Sequence, residues 1–404
     1  MKPCLQQHWH PICKKCKPLL IYIVNIALAL DLLTMKKPEE KALTTLLEAA
    51  GIAINGTRPW DISVHNPKFY ARCLKDGSLG AGEAYMQQWW DCERLDLLFE
   101  RIARAHLEEK INIPWRVIFK NLLAKIINLQ SKRRAKQVGS HYNLGNNLFK
   151  AMLDEQMIYS CAYFKDTADL AAAQMAKLEL ICKKLNLQAG MHLLDIGCGW
   201  GGLAKYAAIH YGVKVTGITI AKQQYEWAKA SCKGLDIEIK LQDYREIEQT
   251  FDRIVSVGMF EHVGFMNYRT FMQLVARSLK DNGLFLLHTI GNNQTNMLAD
   301  PWIRKYIFPN GMLPSIQQIG QAIEPFFVME DWQNFGAYYD KTLLAWHENF
   351  TRHWGELRSF YDETFYRMWA YYLLSCAGYF RAREMQLWQI VLSKGVDGVY
   401  IAPR

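Results

Sequence analysis

The sequence predicts an α/β fold, a Rossmann-like doubly wound sheet preceded by a small, mostly helical unit, and three observations carry that expectation. Five short apolar runs, LLDI, VKVTGITI, IEIKLQD, DRIVSVG and GLFLLHTI, follow one another from residue 193 with helix-patterned stretches between them. That alternation yields parallel strands joined by crossover helices. The first run leads into HLLDIGCGWGG (192–202), a strand ending in an acid and then a glycine-rich turn that opens a helix. Half of the 404 residues are apolar, enough for a large core and more than one domain.

Taken in chain order, residues 1–35 read as an N-terminal extension, with Met35 as a natural start. Leu19 to Leu33 is apolar apart from Asn25 and Asp31, yet falls short of the ~20 residues that span a bilayer. Lys14, Lys15 and Lys17 imitate the start of a secretory signal, and an interfacial anchor is the third reading. Cys13 and Cys16 form a C-x-x-C without a second pair at zinc spacing, so no metal site is expected. The ten cysteines, scattered from Cys4 to Cys376, suit reduced thiols in a cytoplasmic protein.

Residues 36–115 carry apolar positions at three- and four-residue spacing, with turn signals at NGTRP and KDGSLGAGE, and so predict a helical domain. Its YMQQWW segment (85–90) concentrates aromatics that either face lipid or pack in a core, the commoner fate. Residues 116–138 include SKRRAK and read as a basic linker or a surface for acidic headgroups. A net charge of +9 favours an anionic partner but is too mild to name nucleic acid, and none is expected. Residues 139–404 form the expected catalytic domain. Beyond Pro314 the chain is rich in Trp, Tyr and Phe, with helices expected at 343–352 and 363–376 as a lid or acyl pocket.

A pyrophosphate binder would carry G-x-G-x-x-G and an acid for the ribose near the end of the next strand. This chain has G-x-G-x-G at Gly197, Gly199 and Gly201, and its next strand carries Thr219, followed by Gln223 and Gln224. That spacing suits S-adenosylmethionine (SAM), whose methionine carboxylate can sit on a helix N-terminus in place of a phosphate. A plain tight βα turn is the alternative.

In an open α/β sheet the reacting centre lies beyond the carboxyl ends of the strands. Glu261 and His262 follow DRIVSVG, His288 ends its own strand, and Tyr159, Ser160 and Cys161 lie upstream of the sheet. Singly, each has an ordinary reading: Cys161 as a small buried hydrophobe, His288 as a bonded core histidine, Glu261 as a helix cap.

Together, HYNLGNNLF, YSCAYF, LDIGCGWGG, FDRIVSVGMFEHVG, LLHTIG, PWIRKYIFPNG, LPS, NFGAYYD and CAGYFRAR closely resemble the cyclopropane-fatty-acyl-phospholipid synthases and, more distantly, the mycolic-acid cyclopropane synthases. The likeness runs from about residue 43 to the C-terminus. GIAING and GSLGAGE in the N-terminal domain favour the phospholipid-acting branch. The resemblance implies a class I SAM-dependent methyltransferase fold and transfer of a methylene group from SAM to the cis double bond of acyl chains in membrane phospholipids. A related fatty-acyl methyltransferase that leaves a methyl branch, or an inactive lipid-binding module, are the alternatives.

The implied reaction makes demands that these residues suit. An isolated alkene is a poor nucleophile, so it must be held in line with the sulfonium methyl in a dry cleft. The resulting carbocation calls for aromatic walls, and closing the ring calls for a base. By resemblance that base is a bicarbonate held by Cys161, Glu261, His288 and Tyr339 with a backbone contact at Ile290. SAM would contact Tyr159, Ser160, the segment Asp195, Gly197, Cys198, Gly199, Trp200 and Gly201, then Thr219, Gln223 and Gln224, with Asp243 and Tyr244 near the adenine. The resemblance also implies a homodimer, bound peripherally to the inner face of the cytoplasmic membrane.

Overall fold

The computed structural model describes residues 37–107, 145–295 and 299–404. The extension at 1–35, the linker at 116–138 and the domain boundaries at 115 and 139 lie outside the described residues.

The first unit is helical, as its periodicity predicts. Helix α1 (Pro38–Glu48) has proline in its first turn, where the missing N–H costs nothing, and Glu39 and Glu40 beside the positive end of the helix dipole. Helix α2 (Lys68–Met86) breaks at Gly77, inside the KDGSLGAGE turn signal. Strands β1 (Ser63–Val64) and β2 (Trp90–Asp91) pair antiparallel, and α3 (Leu95–Arg104) follows.

The second unit begins with α4 (Asn146–Met152) and α5 (Leu170–Lys184), the latter capped by Asp169 accepting from the Ala172 N–H. The sheet then follows: β3 (His192–Ile196), α6 (Gly202–Tyr211), β4 (Lys214–Thr219), α7 (Lys222–Ser231), β5 (Ile237–Leu241), β6 (Phe251–Val257), α8 (Tyr268–Ser278) and β7 (Leu279–Asn292). These five strands are the five predicted runs, and they pair in parallel in the order β5-β4-β3-β6-β7. The order reverses between β3 and β6, and a ligand crevice is expected at that switch point.

The aromatic C-terminal third holds more than the expected lid. After α9 (Pro301–Tyr306) and α10 (Ile316–Ile323), β8 (Val328–Asn334) and β9 (Met385–Ser393) extend the sheet, β9 antiparallel to β7 and β8 antiparallel to β9. Neither strand is in the sequence reading. Between them lie α11 (Gly336–Arg352) and α12 (Glu363–Arg381), each longer than predicted. These helices pack against one another, against α3 and against β9, so the C-terminal third clasps the N-terminal unit and the sheet together.

That clasp has a continuous apolar core. Tyr85 and Trp90 of the YMQQWW segment are buried, with Tyr85 5.4 Å and Phe99 5.1 Å from the ring of Tyr371 on α12. Trp302 packs tilted, 4.6 Å from the same ring. Gly82 is where α2 meets it closely: a Cβ there would lie 2.4 Å from Trp302 Cδ1, so no other residue fits. Among the described residues no helix is long and apolar enough to cross a membrane.

Candidate active site

A cavity opens at the carboxyl ends of β3, β4, β5 and β6, at the switch point. Tyr159, Ser160, Asp195, Gly197, Cys198, Gly199, Trp200, Thr219, Gln224, Asp243 and Tyr244 all line it. Gly197 has a φ of 85° and a Cβ there would press 2.8 Å from Met259 Cβ, so the turn requires glycine. Gly201 and Gln223 do not line the cavity. Gly201 caps α6 in the left-handed region, and its bare face lies against Cys232 and Ala228 of the α7 region.

Several lining groups are already tied to one another. Thr219 Oγ1 donates to Gln224 Oε1 at 3.0 Å and accepts from the Ala221 N–H, which fixes the β4–α7 turn. Asp243 accepts from the Arg245 backbone at 2.9 Å and its guanidinium at 3.0 Å, so both its oxygens are engaged by Arg245. Tyr244 is largely buried, with the Arg245 guanidinium 4.7 Å from its ring. Trp200 Nε1 donates to Asn146 at 2.9 Å, which docks α4 on the glycine turn. The Tyr159 hydroxyl lies 2.9 Å from that of Tyr372 on α12.

Asp195 is 1 % exposed, and Oδ2 has no hydrogen-bond partner. Burial pushes its carboxyl up to about 7 against the opposing pull of Lys177. Lys177 also lines the cavity and donates to Ser160 Oγ at 2.7 Å. The sequence reading missed this lysine, although its place among the apolar positions of LAAAQMAKLELICKK was its signal. His262 is on the wall too, and burial lowers it to about 4, so it is neutral.

The cavity fits SAM. A turn of backbone amides, a buried carboxylate with a spare oxygen and a buried ammonium suit a polar amino-acid end, while Tyr244 and Ile220 offer apolar surface to a nucleoside.

None of the second predicted group, Cys161, Glu261, His288, Ile290 and Tyr339, lines this cavity, and all but the half-buried Ile290 are buried. Cys161, next to Ser160 in the chain, has its thiol pushed up to about 12 by burial, so it stays un-ionised. It is 3.9 Å from the Thr342 hydroxyl on α11, one turn after Tyr339. Tyr339 keeps its proton, since burial and neighbouring Cys161, Tyr159 and Glu261 raise it well above the ordinary tyrosine value. His288 and Ile290 are two apart on β7, so they share one face. Burial and Lys177 hold His288 neutral.

The tautomer of His288 follows from its partner. Gln389 Nε2 on β9 lies 3.3 Å from His288 Nδ1, and with the amide in that orientation Nδ1 accepts and the proton falls to Nε2. That Nε2 has no partner, nor has Glu261 Oε2. The expected backbone contact at Ile290 takes a specific form: its N–H donates to Glu261 Oε1 at 2.7 Å, which leaves only its carbonyl oxygen for a further ligand.

Comparison with known proteins places this architecture. The Mycolic acid cyclopropane synthetase family matches residues 129–390. The Cyclopropane-fatty-acyl-phospholipid synthase of Escherichia coli strain K12 is 57% identical over 87% of this chain and 92% of its own length. The chain belongs to the cyclopropane synthase family. It is an enzyme of the SAM-dependent methyltransferase class, with the α/β fold of that class. Among solved structures, the cyclopropane synthase MmaA2 from Mycobacterium tuberculosis is similar at a TM-score of 0.60 and 33% identity, over 63% of this chain and 96% of that one. The mycolic acid cyclopropane synthase CmaA1, complexed with SAH and CTAB, gives 0.59 and 33% over 63% of this chain and 96% of its own. In this family member the cavity and the buried group are contributed by elements far apart in sequence: the loop before α5, the ends of four strands, β7 and α11.

Proposed function

We propose that this family member transfers a methylene group from SAM to the cis double bond of unsaturated acyl chains in membrane phospholipids, forming cyclopropane fatty acids with the help of a bound bicarbonate. The observation that carries this reading is the buried group outside the donor cavity. Glu261 Oε2 and His288 Nε2 are an unpartnered acceptor and an unpartnered donor in a region walled by aromatic rings. Buried polar atoms are normally completed by protein, water or a ligand, and this pair offers one donor and one acceptor to an anion with a hydroxyl.

When bound, SAM supplies an electrophilic methyl, and bicarbonate supplies a weak base. The chain's residues hold and orient. Tyr159, packed 5.1 Å from Trp346, and Tyr339, 4.6 Å from Phe380, present aromatic faces that exclude water and stabilise positive charge on the acyl chain. The Tyr339 hydroxyl and His288 Nε2–H are donors for an anion, and Glu261 accepts from the anion's own hydroxyl when ionised. The Cys161 thiol packs against this site and is not a nucleophile.

The phospholipid substrate is supported by the name of the 57% identical relative, which this chain matches over 92% of its length. We further propose a cytoplasmic homodimer that binds the inner face of the cytoplasmic membrane peripherally, the net charge of +9 drawing it to anionic headgroups.

The test is purified protein with SAM and vesicles of unsaturated phospholipid, with and without added bicarbonate, followed by mass spectrometry and NMR of the acyl chains. The expected product gains one CH₂ and loses its alkene signal, faster with bicarbonate. A methyl branch or methylated alkene would instead make the chain a fatty-acyl methyltransferase, and no transfer at all would make it a lipid-binding module.

A further inference from the structure

Lysine is almost never fully buried without a partner, yet Lys177 is 1 % exposed in the middle of α5. Among the described residues it makes one hydrogen bond, to Ser160 Oγ. An ammonium has three donors, so two N–H groups remain. Holding the Ser160 segment does not require this charge, because Gln174, one turn earlier on the same helix, already donates to the Ser160 carbonyl at 3.0 Å and approaches that of Ile158 at 3.4 Å.

The lysine shares the cavity wall with Asp195, whose buried Oδ2 has no partner. The same wall thus carries a buried cation with spare donors and a buried anion with a spare acceptor. The ligand chemistry complementary to both is a zwitterion, an α-amino acid whose carboxylate meets the cation and whose ammonium meets the anion. We propose that Lys177 receives the carboxylate at the amino-acid end of the methyl donor, opposite Asp195, which receives its ammonium. This rests on the reading of the cavity as the donor site. It moves the carboxylate's principal partner from the helix N-terminus, where the sequence reading put it, to a side chain that carries full charge. Gly202 and Leu203, the first residues of that helix, line the same cavity, and Lys177 adds a full charge to what the helix N-terminus offers.

The electrostatics agree. Burial lowers Lys177 to about 8 against the pull of Asp154, Cys161 and Asp195, and raises Asp195 to about 7 against that of Lys177, so each is close to losing its charge, and a zwitterion adds a further opposite charge beside each.

The experiment is calorimetric titration of the full chain with two ligands: S-adenosylhomocysteine, which has the amino-acid end, and 5′-methylthioadenosine, which has the nucleoside and thioether without it. In Lys177→Met, affinity for S-adenosylhomocysteine falls about ten- to a hundredfold, the effect of one charge-assisted hydrogen bond, while affinity for methylthioadenosine is unchanged. Equal loss for both ligands would make Lys177 a structural residue, and no loss would remove it from the site. Either result overturns the proposal. Should Lys177→Met fail to fold, Lys177→Gln takes its place in the same two titrations, with the same two overturning results. Wild-type protein that binds neither ligand would sink the donor assignment itself, and this inference with it.

Discussion

Glu261 gives one carboxylate oxygen to the Ile290 N–H at 2.7 Å and keeps the other buried without a partner. A carboxyl in that position is half satisfied, and burial pushes it up to about 7 despite the Ile290 hydrogen bond. The folded protein therefore holds this proton where the unfolded chain, titrating near 4.5, has already released it. The sign follows: stability is highest below the unfolded value and falls as pH rises toward 7, then levels off. Through this group alone the wild type loses up to roughly 3 kcal/mol across that window, and Glu261→Gln does not. Urea denaturation of both proteins without ligand, at about pH 5 and about pH 8, checks it. A pH dependence identical in the two proteins would place the raised value elsewhere.

The same carboxylate and His288 are expected to serve turnover without serving donor binding, because neither lines the donor cavity. Glu261→Gln and His288→Ala fold and bind S-adenosylhomocysteine as the wild type does, but lower methyl transfer from labelled SAM to unsaturated vesicles by about 10²-fold or more, the usual contribution of an acid–base group. Unchanged turnover in both variants would take them out of the base site.

Arg381 on α12 joins the two units beside Tyr339 of α11. It donates to both oxygens of Asp340 on α11, the residue after Tyr339, at 2.8 and 2.9 Å, and to Asp96 on α3 at 2.8 Å. Asp96 is 1 % exposed and also paired with Arg94. Arg381→Met leaves Asp340 short of its partner while Asp96 keeps one. The expected cost is about 2–3 kcal/mol of stability, below that of a fully buried pair because the guanidinium is partly exposed. Lipid methylation falls with it as α11 loosens, whereas affinity for S-adenosylhomocysteine stays within about twofold, since the cavity wall is untouched. Thermal denaturation beside an activity assay separates the two effects. An unchanged midpoint would show that the clasp between the units is apolar alone.

Features encoded over a few residues appear in the fold as the sequence predicts them. The five parallel strands, the glycine turn at 197–201 and the break at Gly77 are all encoded in residues adjacent in the chain, by short apolar runs or by the backbone freedom of glycine. Strands β8 and β9 were not read, although β9 is an apolar run, MQLWQIVLS, bounded by Glu384 and Lys394. Such a run fits a buried helix as well as a strand, and only pairing with β7 decides between them.

The sequence by itself determined the order of elements and the residue types available for chemistry, because periodicity and turn preference act over a few residues. The tertiary structure decided which polar groups are left without a partner. Asp243 looked free to meet an adenine until Arg245 took both its oxygens, the Ile290 N–H looked free until Glu261 took it, and Lys177 looked like one more helix lysine until α5 buried it against Ser160. Burial and hydrogen bonding are set by contacts between segments far apart in the chain, and those contacts fix both the charge a group can carry and the ligand it can meet.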